Sequence, residues 1–347
     1  MQYLRALAAL LVVYSHACIQ VPVYQEQLLE FGSFGVDIFF VISGFIMMYI
    51  SKPSHTPKAF IVNRIRRVVP LYWFFTLLLA AILLVKPSVF SKTELQIDVL
   101  IQSLLFLPHF NQAHPGEVWP LLAPGWSLIY EMYFYVLFAL SLFAVQKFRL
   151  PLISITIVAL FGLAHLTNID GPDGPLTEFF KDQVVFEFIF GMLLAYAWQR
   201  GFRLTNVAGT AMAITSFAYL VFHSQERGIA SVEEPHHLLT NGIPAATMVT
   251  GMLFMRLPVN KIGLLLGDAS YALYLSHIFV LGLLRVILLP ILGTSQSAAW
   301  LFVAISLVVC TLVSIPVHLL IDNWLLRHER LNLHKSSKQH SAKQHET

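Results

Sequence analysis

The chain has 347 residues, of which 57% are hydrophobic and only 12% charged, against about 25% charged in soluble domains. This excludes an ordinary soluble enzyme and marks an integral membrane protein; with a formal net charge of +3, no nucleic-acid partner is expected. Two cysteines, Cys18 and Cys310, both in apolar segments and without Cys-x-x-Cys spacing, support neither a disulfide framework nor a zinc site.

Apolar runs of about 17 to 25 residues, enough to cross a bilayer, fall at 4–22, 34–51, 68–86, 126–146, 150–167, 179–198, 204–222, 240–255, 266–289 and 297–320. The expectation is an all-α, polytopic protein of about ten transmembrane helices. A single membrane domain spans 1–326, with a basic polar cytoplasmic tail over 327–347 expected to be disordered. No internal repeat is visible, and glycines and prolines are scattered instead of forming a linker.

The first run resembles a signal peptide with Ser15-His16-Ala17 at the cleavage position. Cleavage would discard Arg5 and His16, however, a second apolar run begins near Phe34, and Cys18 lacks the leucine three residues before a lipidated cysteine, so a true span is expected. Arg5 and His16 are eleven positions apart, three helical turns plus roughly 20°. They therefore share one face about 16 Å apart. Arg5 would sit at a membrane edge and His16 near the middle, where an ionisable group is costly and is a functional candidate by default.

In the second run, Asp37 lies in Phe34-Gly35-Val36-Asp37-Ile38-Phe39-Phe40-Val41-Ile42-Ser43-Gly44-Phe45. It is expected to orient His16 or hold an arginine. Gly35 and Gly44 read as close-packing positions, and Ser43 as bonding its own backbone. Arg64 and Arg67 precede Pro70-Leu71-Tyr72; three apart, they share a helical face and suit a phosphate-rich ligand, although anchoring to anionic lipid would explain them too.

The stretch 95–108 is short, interrupted by Asp98 and Gln102, and reads as re-entrant or interfacial. The loop after it, with His109, Asn111, His114, Glu117 and Trp119, is long enough to suggest a functional platform. In Trp126-Ser127-Leu128-Ile129-Tyr130-Glu131, Ser127 and Glu131 lie one turn apart, expected to form a polar pocket opening outward and suited to sugar hydroxyls. Later candidates are Glu187, Ser276, His277, Arg285, His318 and Asp322, all of which interhelical bonding would also explain. His236, His237 and the tail histidines His328, His334, His340 and His345 fit no zinc pattern and read as solvated surface.

A cytoplasmic N-terminus with a non-crossing 95–108 puts Lys52, Lys58, Arg64, Arg66, Arg67, Lys147, Arg149, Arg200, Arg203, Arg256, Lys261 and the tail on one side. Only Lys86, Lys92, Lys181 and Arg227 remain opposite, with Glu26, Glu30, Glu94, Asp170, Asp173, Asp182, Glu226, Glu233 and Glu234 among the acids there.

Taken in order, Leu4-Arg5-Ala6 with His16, the Phe34 to Phe45 string, Arg64 to Arg67 before Pro70-Leu71-Tyr72, Trp126-Ser127 with Glu131 and Phe134-Tyr135, and Ser270-Tyr271 to His277 resemble the membrane-bound acyltransferase 3 family. Residues 115–120 and 125–132 look most like its exopolysaccharide acetyltransferases of the succinoglycan type. The resemblance implies transfer of an acyl group, expected to be acetyl, from cytoplasmic acetyl-CoA to a hydroxyl of an exported or lipid-linked carbohydrate in a bacterial inner membrane, with both termini cytoplasmic.

It implies His16, Asp37 and Glu131 as catalytic residues, with His16 acting as base or as transient acyl carrier. Arg5, Arg64 and Arg67 would hold the donor, and Trp126, Ser127, Tyr130 and His277 the acceptor. No metal is expected, and polysaccharide export machinery is an expected partner. The rival readings are a transporter or flippase making no bond, which lacks support from repeats, and a lipid-linked glycosyltransferase, for which Asp170 and Asp173 supply too few acids.

Overall fold

The computed structural model describes residues 1–21, 31–86, 94–111, 113, 115–171, 174–225, 236–293 and 295–322. The tail at 327–347, its four histidines, and Glu26, Glu30, Lys92, His114, Asp173, Glu226, Arg227, Glu233 and Glu234 lie outside them. Twelve α-helices are present among the described residues: α1 (Gln2–Ile19), α2 (Gly35–Ile50), α3 (Pro57–Val85), α4 (Ile97–Leu104), α5 (Trp126–Ser141), α6 (Gln146–Leu166), α7 (Pro175–Lys181), α8 (Val185–Gln199), α9 (Asn206–Gln225), α10 (Ile243–Phe254), α11 (Lys261–Leu292) and α12 (Gln296–Val317). One turn of π-helix, Leu238–Gly242, leads into α10.

Each of the ten apolar runs corresponds to one of these helices. Six are long and apolar enough to cross a membrane by length and composition: α1, α3, α6, α9, α11 and α12. The others, α2, α5, α8 and α10, have 12 to 16 residues, about 18–24 Å of helix against a hydrocarbon core of about 30 Å. The outer surface is apolar: Leu84, Val85, Ile155, Leu166, Val207, Phe222, Val286 and Ile291 are all exposed. Side chains of this kind in such number face lipid, not water.

Helix ends follow local sequence. Thr56 accepts from Ala59 N at 3.3 Å with Pro57 at the first helical position. Asn260 accepts from Ile262 N at 2.8 Å and Ser295 from Ala298 N at 3.2 Å. These caps satisfy otherwise orphaned N–H groups. The cap at Thr56 starts α3 eleven residues before the apolar run, so Arg64, Arg66 and Arg67 are helical. By contrast α1 ends at Ile19, which puts His16 in its last turn. The eight residues of α4 rise only about 12 Å, too short to cross.

The closest packing is between α2 and α8. A Cβ on Gly44 would lie 2.1 Å from the Phe188 carbonyl oxygen, and one on Gly191 would lie 2.0 Å from that of Val41. Only glycine admits this backbone-to-backbone approach. Elsewhere, contacts identify which helix ends share a side. Tyr3 donates to the Pro258 carbonyl at 2.9 Å, and Gln2 bonds Asp268. Buried Arg149 bonds Ser51 Oγ and donates to the Lys52 carbonyl at 3.2 Å, uniting two residues expected on the same face. At the other end, Tyr130 reaches Asp182 and His237 reaches Asp37.

Candidate active site

A cavity lies among α1, α2, α3, α5 and α11. Arg5, Arg64 and Arg67 line it together with Ser43, Ser127, Glu131, Tyr135 and Tyr274, and Phe39, Ile46 and Met47 form apolar wall. The sequence reading puts the arginines on one side of the membrane and a Ser127–Glu131 pocket opening to the other; all five line one space. Helical spacing explains the grouping. Arg64 and Arg67 sit three apart on α3, and Ser127 and Glu131 four apart on α5.

Glu131 accepts from Ser43 Oγ at 2.6 Å, so Ser43 serves a helix 88 positions away instead of its own backbone. Arg64 packs its guanidinium 5.8 Å from the Phe60 ring centroid and 6.0 Å from that of Tyr135. Its Nε is buried without a hydrogen-bond partner. Arg67 is exposed at the cavity edge, and Arg5 donates to Gln2 Oε1 at 3.2 Å. Three guanidinium groups around one carboxylate make the space electropositive, suited to an anionic ligand.

Beyond the far wall lie two histidines. The His16 and His277 rings meet edge to face, with centroids 4.9 Å apart. His16 Nδ1 lies 2.9 Å from the Val12 carbonyl; donation there fixes the tautomer and leaves Nε2 as the basic atom. His277 is fully buried, and neither ring nitrogen has a hydrogen-bond partner. Neither residue lines the cavity. The link to it is Tyr274, whose ring lies 6.1 Å from that of His277 and 6.0 Å from that of Phe39. The Tyr274 hydroxyl donates to the Pro124 carbonyl at 2.8 Å and lies 2.7 Å from Ser127 Oγ.

Three expected site residues lie elsewhere. Trp126 and Tyr130, also four apart, occupy the adjacent stripe of α5 and pack against Phe40. Tyr130 stacks on Phe179 at 4.3 Å and donates to Asp182 at 2.8 Å. Asp37 neither orients His16 nor holds an arginine among its recorded contacts: its Oδ1 is 2.7 Å from His237 Nε2, and Glu187 Oε1 is 3.4 Å from the same nitrogen. The correction extends to His237, expected at the solvated surface but buried, while its neighbour His236 is exposed. A His-His pair in a polar loop gives no local sign of burial. Ser43 and Tyr274 likewise carry no local sign of a site role, because their partners come from helices far away in sequence.

An apolar-faced helical bundle around a cavity lined by arginines and a carboxylate, with paired histidines beyond its wall, is the frame of a membrane enzyme. The chain belongs to the acyltransferase 3 family, whose acyltransferase domain matches residues 1–319. It is 35% identical over 304 residues to the exopolysaccharide production protein ExoZ of Rhizobium meliloti, covering 86% of this chain and 91% of that protein. It is 24% identical to the peptidoglycan O-acetyltransferase OatA of Listeria monocytogenes, over 78% of this chain and 47% of that protein. The acyltransferase MdmB of Streptomyces mycarofaciens is 25% identical over 72% of this chain and 68% of its own. No solved structure matches.

Proposed function

We propose that this acyltransferase moves an acetyl group from acetyl-CoA to a hydroxyl of an exported or lipid-linked carbohydrate, as the name of the relative OatA suggests by analogy and that of ExoZ by its polysaccharide. The observation that carries the reading is the single cavity joining Arg5, Arg64 and Arg67 to Ser127 and Tyr274, next to His277 and His16. The arginines bind donor phosphates, and the orphaned Arg64 Nε is a donor awaiting such an acceptor. The thioester extends past Glu131 and Ser127 to the wall of Phe39 and Tyr274. Side-chain rotation in that wall admits the carbonyl to His16.

There the acceptor hydroxyl oxygen forms the new ester bond while its proton passes to His16 Nε2, and the carbon–sulfur bond breaks to release the thiolate, which takes that proton. His277 holds the His16 ring edge-on and excludes water. Asp37 is not part of this arrangement. Ten crossings, with both termini in the cytoplasm of a bacterial inner membrane, complete the reading: the arginine end faces the donor compartment.

Purified protein in lipid nanodiscs, given labelled acetyl-CoA and a carbohydrate acceptor, tests it. His16→Ala is expected to lower transfer by about a hundred- to ten-thousand-fold with unchanged size-exclusion behaviour. Undiminished transfer by that variant removes His16 from the chemistry.

A further inference from the structure

We propose that Asp37, Glu187 and His237 form a binding site for a divalent transition-metal ion, best matched to zinc, which pins α2, α8 and the π turn before α10 together. The sequence led to no such expectation, because the three residues stand in separate segments. Asp37 lies in the first turn of α2, Glu187 in the first turn of α8, and His237 immediately before the π turn. Yet one donor atom from each lies within 4.8 Å of the others.

One of the two distances at His237 is that of neighbouring metal ligands, and the other is that of a charge-assisted hydrogen bond which the ion would replace. Zinc bound at about 2.0–2.2 Å holds neighbouring ligand atoms about 3.4 Å apart. His237 Nε2 is 3.4 Å from Glu187 Oε1 and 2.7 Å from Asp37 Oδ1, so admitting the ion requires Asp37 to move away from the ring.

Glu187 supplies the independent sign of a missing partner. It is fully buried, and neither carboxylate oxygen has a hydrogen bond. A buried carboxylate whose one recorded polar contact is a 3.4 Å approach to an imidazole nitrogen is under-satisfied.

The surroundings suit a ligand set. The Asn241 side-chain amide is 3.1 Å from His237 Nδ1. Turned so that its oxygen faces the ring, it accepts the Nδ1–H and presents Nε2 to the ion. A Cβ at position 242 would come within 3.1 Å of Glu187 Oε1, so Gly242 keeps room for the carboxylate. None of the three ligands lines the arginine cavity, and the proposal stands apart from the acyl-transfer reading.

The test uses full-length protein in detergent, with metal content measured by plasma mass spectrometry before and after EDTA, then after reloading with Zn2+ or Co2+. Because the tail also carries histidines, wild type is compared with Glu187→Gln and, should that variant not fold, with His237→Gln. Expected are one more metal equivalent in wild type than in the variant and a thermal midpoint that falls on EDTA treatment and recovers on reloading. Reloaded Co2+ should show the visible absorption of a four- or five-coordinate site in wild type alone. Equal metal content in wild type and variant, or a wild-type midpoint indifferent to EDTA and Zn2+, overturns the site and leaves a proton-sharing triad.

Discussion

The cavity beside α3 collects three guanidinium groups around one carboxylate, with Arg67 exposed at its edge. The cluster between α2, α8 and α10 collects two carboxylates around one imidazole, all three buried. Both place charge inside an apolar bundle, where an isolated ion is costly. The first keeps an unspent donor, the buried Arg64 Nε, in a side chain that lines an open cavity, which is how a site prepared for an incoming anion is built. The second gathers its charges from three separate segments around one imidazole, which is how a structural joint is built. A polar residue in a membrane protein is thus not a catalytic candidate on cost alone; its neighbours decide.

The sharpest way to break this division is at the arginines. Arg64→Ala with Arg67→Ala is expected to raise the KM for acetyl-CoA by about 30-fold or more, given roughly 1.5–3 kcal/mol for a hydrogen bond to a charged group, with the acceptor KM little changed. Steady-state kinetics with each substrate varied in turn reads this, and unaltered donor KM returns both residues to a topological role.

At the joint, Gly44→Ala should lower stability by about 1–3 kcal/mol, since its methyl would overlap the Phe188 carbonyl and force α2 from α8. A thermal melt equal to wild type contradicts the packing described. In the cavity, Ser43→Ala removes the donor to Glu131 and should lower stability by about 1–2 kcal/mol. Ser43→Thr, which keeps the hydroxyl, should recover part of the loss in the same melt.

The smallest effect belongs to Asp170, outside both regions. Burial pushes its carboxyl up, but bonds from Leu176 N at 2.8 Å, Thr177 Oγ1 at 2.8 Å and Thr177 N at 3.1 Å together hold it below the ordinary 3.8. A carboxyl lowered in the folded state contributes stability above pH 3.8 that is lost as pH falls through its folded value. Hydrogen-exchange protection at α7, taken relative to the intrinsic rate at each pH, should therefore fall in acid, and Asp170→Asn should weaken that dependence while leaving both charged clusters untouched.

What could be seen in the sequence followed from local spacing. Every apolar run corresponds to a helix, 95–108 contains only a short one, and the pairs Arg64 with Arg67 and Ser127 with Glu131 keep their faces. Position along the helix was less visible: the Thr56 cap begins α3 early and the end of α1 at Ile19 moves His16 toward a helix terminus, because caps and polar turns, not hydropathy, set boundaries.

Partnerships across the bundle were not visible at all. Asp37 with His237, separated by 200 positions, and Ser43 with Glu131, separated by 88, depend on which helices become neighbours. No periodicity within one helix encodes that.

Helix α2 belongs to both regions. Asp37 at its head enters the acidic cluster, Phe39, Ser43, Ile46 and Met47 farther along face the arginine cavity, and Gly44 rests on the backbone of α8. A rotation of α2 that loosened its head would swing the Ser43 hydroxyl away from Glu131 in the same motion, because a helix turns as one rigid shaft. Mechanical registration of the two compartments is therefore carried by sixteen residues, and their alignment is set where two glycines let one backbone bear directly upon another.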